Sequence, residues 1–191
     1  MKHIFIINPH AGKKDATAAI YEMADRLREK HGQEVACMLT DRPGGAADIA
    51  RKQAESGEEV RIYACGGDGT LNEVVQGVAG HDNVAITVFS GGSGNDFVKI
   101  FDDPKAFFDI DRLLDAEEAT FDLIKCNDDF SLNICSVGLD ARIAADVAGY
   151  KRIPLLQGFR AYAASAVVNI VKGISEHYIV ELDGKRFDEE F

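Results

Sequence analysis

The sequence predicts an α/β fold in two parts. Residues 1–118 form a parallel sheet with alternating strands and helices, and residues 119–191 form a β-rich unit. Three observations predict this. Short apolar runs alternate with segments of helical spacing. Loops rich in Gly, Asn and Ser follow three of the runs. After about residue 118 the alternation gives way to hairpin patterns.

Residues 2–7 read as a first core strand, with an apolar part too short for a signal peptide. Residues 15–31 carry Ile20, Met23, Ala24 and Leu27 at helical spacing, with Gly32 as a stop. A strand is expected over 34–39 and a helix over 45–56, ending before Gly57. Strand 60–65, helix 70–79 and strand 84–89 follow. Strands that alternate with helices make a parallel sheet covered on both faces. Such sheets bind ligands at the carboxyl ends of their strands. A short helix is expected after Asn95. Another is expected from Pro104 to about Leu114, with Asp103 as N-cap and Pro104 at the first helical position.

Beyond residue 118 the pattern changes. Phe121–Cys126 and Phe130–Cys135, joined by Asn127-Asp128-Asp129, read as an antiparallel hairpin. Residues 158–173 read as helix. Residues 177–182 and 186–187 flank an Asp183-Gly184 turn, a second hairpin. About seventy residues with several strands make a thin core, and the last strand has no evident partner. The chain is therefore expected to be a piece of a longer protein.

Composition narrows the function. Hydrophobic residues make up 46% and charged residues 28%, enough for a globular core. The net charge of −11 argues against nucleic-acid binding and against strong docking to anionic membranes. Cys37, Cys65, Cys126 and Cys135 form no Cys-x-x-Cys pair and read as reduced thiols of a cytoplasmic chain. No apolar stretch is long enough to cross a membrane. The five histidines lack metal-ligand spacing.

The chemistry lies in Gly66-Gly67-Asp68-Gly69-Thr70-Leu71-Asn72-Glu73, directly after a buried strand. Glycines let the backbone turn tightly and let a ligand come close. Thr70 and Glu73 have capping-box spacing, which starts the helix at Thr70. A helix N-terminus suits a phosphate. A bare carboxylate repels one, so Asp68 needs a role: accepting a proton from a hydroxyl, or orienting a metal ion. The combination points to phosphoryl transfer. The P-loop pattern Gly-x4-Gly-Lys-Ser/Thr is absent, so this cradle is a different one. A Gly-x-Ser-x-Gly elbow is absent too.

Two more motifs stand at strand ends: Asn8-Pro9-His10-Ala11-Gly12 and Gly92-Ser93-Gly94-Asn95-Asp96-Phe97. Taken alone, the first reads as an ordinary turn, and Asn95 or Asp96 as a helix cap. The ordered set closely resembles the catalytic domain of the diacylglycerol kinase and sphingosine kinase family, its bacterial soluble lipid kinases above all. Leu132-Asn133-Ile134-Cys135-Ser136-Val137-Gly138-Leu139-Asp140-Ala141 resembles the entry to that family's second domain.

The resemblance implies a nucleotide-binding domain followed by the start of a β-sandwich, with the active site between them. It implies transfer of the ATP γ-phosphate to a lipid hydroxyl, diacylglycerol first, with Mg2+. It places Asn8, Pro9, His10, Ala11, Gly12, Thr40, Gly66, Gly67, Asp68, Gly69, Thr70, Leu71, Asn72 and Ser93 by the nucleotide. It places Asn95 and Asp96 by the acceptor, and Asp68 among the catalytic groups. No protein metal ligand is assigned. Ser93 stands where threonine is usual, Ser90 where proline is, and Lys99 where arginine is. Family members run further, and that further part carries the proposed general-base carboxylate and the structural magnesium site.

Partners follow in the same way: a lipid substrate, a transient membrane contact and no nucleic acid, with a homodimer left open. Ile153, Leu155, Leu156 and Phe159 beside Lys151, Arg152 and Arg160 read either as that contact or as a core helix with a charged rim. Two other functions fit the Gly-Gly-Asp-Gly loop. One is a kinase of another hydroxyl, such as a sphingoid lipid or NAD. The other is a non-catalytic nucleotide-binding module.

Overall fold

The computed structural model describes residues 1–12, 16–90, 95–150, 153 and 159–190, apart from the side chains of Lys30, His31, Ser90 and Ala148. The chain forms two compact units, Met1–Ile134 and Cys135–Phe191.

The first unit alternates as the apolar pattern dictates: β1 Lys2–Ile7, α1 Thr17–His31, β2 Val35–Leu39, α2 Gly45–Ala54, β3 Val60–Gly66, α3 Asp68–Val78 and β4 Val84–Ser90. The four strands are all parallel, in the order β2-β1-β3-β4. The chain moves one way from β1 to β2 and the other way through β3 to β4. The reversal puts a crevice beyond the carboxyl ends of β1 and β3. Asn8 follows one of those ends and Gly66 closes the other.

Side chains alternate across a strand, and both faces here are apolar. Ile4 and Ile6 join Ile62, Ala64, Val74 and Val75 in one buried cluster. Phe5 and Ile7 join Tyr63, Ile20, Leu27 and Leu113 in the other. Burying one such large side chain contributes about 1.5–3 kcal/mol. Helices α2 and α3 approach closely over small residues. A Cβ added at Gly77 would lie 2.4 Å from the Ala47 carbonyl oxygen and 2.8 Å from Ala50 Cβ.

Two expectations are corrected. Helix α3 begins at Asp68 with Gly67 as its N-cap and no side-chain cap bond, so the Thr70–Glu73 capping box does not form. Both side chains are taken by distant partners: Thr70 Oγ1 accepts from Asn8 Nδ2 at 3.1 Å, and Glu73 Oε2 accepts from the Ala46 N–H at 3.1 Å. The single helix expected from Pro104 to Leu114 is two: a 3₁₀ segment, Pro104–Phe108, and α4, Ile110–Leu114. Asp109 between them is extended (φ −121°, ψ 108°) and caps the second, accepting from the Asp111 N–H at 3.1 Å. Asp103 caps the first as expected, accepting from the Lys105 N–H at 3.1 Å. The short helix expected after Asn95 is present as a 3₁₀ segment, Phe97–Ile100.

The predicted hairpin is present but short, with β5 Ile124–Cys126 paired antiparallel to β6 Asp129–Ser131. It belongs to the first compact unit: Leu123, Phe130 and Leu132 pack on the α2–α3 cluster. Contacts thus divide the chain at 134/135, whereas composition changes near 118.

The second unit contains α5 Leu139–Tyr150, α6 Phe159–Lys172, β7 His177–Leu182 and β8 Lys185–Glu190. The β7–β8 turn carries Asp183 and Gly184 at φ 48° and 76°, the left-handed pair that suits a two-residue hairpin. Helix α5 was not predicted. It packs on α6 through buried Ser165, whose hydroxyl donates to the Ile143 carbonyl at 2.8 Å, and Asn169, which donates to Asp146 Oδ2 at 3.0 Å. Lys151, Arg152, Leu155 and Leu156 lie outside the described residues, while Phe159 is 81% exposed.

Candidate functional site

Three loops meet at the carboxyl edge of the sheet, and side-chain hydrogen bonds tie them. Asn8 uses every polar group it has. Its N–H donates to the Cys65 carbonyl at 3.0 Å, and its own carbonyl accepts from Ala11 at 3.1 Å. Its Oδ1 accepts from the His10 N–H at 3.0 Å, and its Nδ2 donates to Thr70 Oγ1 at 3.1 Å. The 8–12 loop is therefore bound both to itself and to the first turn of α3. Pro9 and Ala11 are half-buried, and His10 and Gly12 are exposed. Gly12 has φ 78°, a left-handed position that glycine adopts without strain. Thr40 is half-buried and is held at the same edge by its N–H, which donates to the Ile7 carbonyl at 2.9 Å.

The central motif divides by role. Gly66 is buried, and a Cβ there would lie 2.2 Å from Thr70 Oγ1 and 2.6 Å from Thr70 Cβ. Glycine at this position is thus a packing requirement. Gly69 is the opposite case: it is exposed, with nothing within 4 Å of an added Cβ. The fold does not need glycine there. Thr70 and Leu71 are each 5% exposed; Thr70 joins the loops, and Leu71 belongs to the core. Asn72 is exposed, and its Oδ1 accepts a long 3.5 Å bond from Gln76.

Asp68, the first residue of α3, is half-buried, and its Oδ1 accepts from the Asp96 N–H at 2.7 Å. This bond joins the central motif to the third loop. Asp96 in turn accepts from Lys99 Nζ at 2.6 Å. Asn95 adopts a left-handed φ of 51°. A small depression runs beside these residues, lined by Gly67, Asp68, Leu71, Val88, Asn95 and Phe97. Ser93, predicted to contact the nucleotide, lies outside the described residues.

The arrangement offers an uncapped helix N-terminus, open space at Gly69 and a fixed carboxylate. An α-helix leaves its first N–H groups without intrahelical partners, and its dipole favours an anion there. A phosphate fits that description. Among the described residues no three His, Cys, Asp or Glu side chains cluster as a metal cage. Asp68 and Asp96 are the carboxylates at hand. That donor set suits Mg2+, which binds through one or two carboxylates plus substrate phosphates and keeps several waters.

Two residues here escaped the sequence reading of roles. Glu73 caps the N-terminus of α2, and Gln76 reaches the β5–β6 hairpin. Their partners are 27 and 54 residues away, and no local spacing announces such bonds. No helix among the described residues is long and apolar enough to cross a membrane.

Comparison with known proteins places the chain in a family and a fold. Residues 2–126 match the model of the diacylglycerol kinase catalytic domain. Two Staphylococcus aureus proteins, from strains JH9 and Newman and each named "Putative lipid kinase", are 28% identical over 195 residues, covering 98% of this chain and 62% of theirs. The crystal structure of a diacylglycerol kinase from Bacillus anthracis str. Sterne superposes with a TM-score of 0.63 at 22% identity, covering 99% of this chain and 61% of that one. At that identity the likeness establishes the fold. The chain spans about three-fifths of the length of these relatives.

Proposed function

This chain belongs to the diacylglycerol kinase catalytic domain family, and from that premise we propose that it provides the nucleotide-holding part of a cytoplasmic lipid kinase. The reaction is transfer of the ATP γ-phosphate to a lipid hydroxyl, with diacylglycerol as the acceptor. The observation that carries this reading is the pair of side-chain bonds, Asn8 to Thr70 and Asp96 to Asp68, that holds three motif loops around one helix N-terminus. A turn needs neither bond. A phosphate cradle needs both, because phosphoryl transfer is catalysed mainly by positioning and electrostatics.

In this reading the free N–H groups at the start of α3 bind the phosphates, and Gly69 lets them approach the backbone. Asn8 and Thr70 fix the spacing of the two loops that flank them. Asp68 holds the third loop through the Asp96 N–H and presents its other oxygen to the reacting groups. Mg2+, held by Asp68 and the phosphates, would neutralise charge that builds on the transferred group.

Two measurements test this. The first is thermal unfolding with and without Mg2+·ATP, with NAD as the control ligand. A ligand that binds only the native state adds RT ln(1 + [L]/Kd), about 2.7 kcal/mol at a hundredfold excess over Kd. The expected result is a shift with ATP that Gly69→Val abolishes. The second is transfer of labelled γ-phosphate by the full-length chain to diacylglycerol, a sphingoid base and NAD. Diacylglycerol labelling ahead of the other two supports the reading. Labelling of NAD alone overturns it.

A further inference from the structure

The carboxamide of Gln76 is bonded to both main-chain groups of one residue in the β5–β6 hairpin. Its Nε2 donates to the Phe130 carbonyl, and its Oε1 accepts from the Phe130 N–H at 3.0 Å. Strand pairing explains why those groups are on offer. Cys126 and Asp129 flank the two-residue turn, so Lys125 and Phe130 form the next pair, the one that exchanges no hydrogen bonds. The N–H and C=O of Phe130 therefore point away from β5, where a third strand would dock. The Gln76 amide, with one donor and one acceptor set as in a peptide, takes that strand's place.

The same side chain also touches one residue of the central motif. Gln76 lies two turns beyond the first residue of α3, Asp68, and its Nε2 also reaches Asn72 Oδ1 at 3.5 Å. One rigid helix thus carries the phosphate cradle at its start and grips the hairpin further along. Leu123, Phe130 and Leu132 pack beside the grip. All that the chain supplies after Ile134 is reached through this hairpin.

We propose that Gln76 is a positioning residue for phosphoryl transfer. By clamping Phe130 it fixes the hairpin against α3, the helix whose first turn holds the phosphates in the proposed reaction. The inference rests on the kinase reading above. Only a side chain of this length with both a donor and an acceptor can make the pair. Glutamate would place a carboxylate against a carbonyl, and methionine would fill the space and bond to neither group.

The experiment compares Gln76→Met, Gln76→Glu and wild type in the full-length chain. Hydrogen exchange of the Phe130 amide is measured together with kcat and KM for diacylglycerol and for ATP, and with the thermal shift given by Mg2+·ATP. The expected result for Gln76→Met is loss of Phe130 protection and a tenfold or greater fall in kcat for lipid transfer. KM for ATP and the nucleotide shift should stay within twofold and about one degree of wild type. Gln76→Glu should keep part of the protection and fall between. Two outcomes overturn the role: a Gln76→Met enzyme with unchanged kcat, or one whose nucleotide shift disappears along with its activity. A wild-type chain that labels no lipid overturns the proposed function and this role with it, while Phe130 exchange still reports whether the clamp exists.

Discussion

The Glu73 carboxylate accepts a hydrogen bond from the Ala46 N–H at 3.1 Å, so a residue of the central motif caps a neighbouring helix. Helix α2 starts after Gly44 and has no side-chain cap of its own sequence. Glu73 supplies one from α3, with its charge at the positive end of the α2 dipole. Removing a cap costs about 1 kcal/mol. We expect Glu73→Ala to lower unfolding stability by about that much in urea titration, and Glu73→Gln by less, since its amide oxygen still accepts. Nucleotide binding should survive both. A Glu73→Ala protein as stable as wild type would show that the bond contributes nothing.

This bond also shows where reading the sequence stopped. The sheet was legible because β1 alternates two apolar sets, Ile4 and Ile6 against Phe5 and Ile7, and both sets are buried. The loop positions were legible because glycines and polar residues follow each strand. The capping box failed because Thr70 and Glu73 each found a better partner in the tertiary fold, 62 and 27 residues away. Helix α5 stayed hidden for another reason. Its Ala141, Ala144 and Ala145 carry little contrast between faces, and of its large apolar side chains Ile143 is the one buried. The 104–114 break rested on Asp109, whose capping preference competes with a continuous helix.

The two glycines of the central motif should respond in opposite ways. Gly69→Ala meets open space in the first turn of a helix and restricts the unfolded chain, so it should stabilise the fold by about 0.5–1 kcal/mol. It should weaken ATP binding, because the methyl group occupies the approach to the backbone. Gly66→Ala drives a methyl group into the fixed Cβ of Thr70 and should cost about 1–3 kcal/mol. Urea titration with and without Mg2+·ATP separates the effects. A Gly69→Ala protein that gains stability and binds ATP as well as wild type would remove the phosphates from this turn.

Asp68 anchors the third loop, and the proposed reaction gives it a second, separable duty, bearing charge. Asp68→Asn keeps an oxygen for the Asp96 N–H and drops the charge, whereas Asp68→Ala loses both. If the charge serves the reaction, both variants lose transfer by a hundredfold or more, about 2.7 kcal/mol of transition-state stabilisation. Only Asp68→Ala should also loosen the loop, read as faster exchange of the Asp96 amide. Near-normal kcat in Asp68→Asn would reduce this residue to an anchor.

At the opposite edge of the sheet, His3 Nδ1 lies 2.9 Å from the Tyr63 hydroxyl, and both side chains are buried. Burial first, then the Arg61 and N-terminal charges, hold the His3 pKa below its ordinary 6.5. Above that pH the imidazole is neutral in the folded and unfolded chains alike. As pH falls through 6.5, the unfolded chain takes up the proton first, so stability drops by at most about 1.4 kcal/mol per pH unit until the folded pKa is reached. Burial pushes the Tyr63 phenol up to about 12 from 10, so the loss on that side comes as pH rises between those values. We expect the stability difference between wild type and His3→Phe to narrow from pH 7.5 to 5.5, since the variant has no proton to take up. Tyr63→Phe should likewise flatten the alkaline limb. Curves for wild type and His3→Phe that run parallel through the acid range would mean that His3 is protonated as easily in the core as in water.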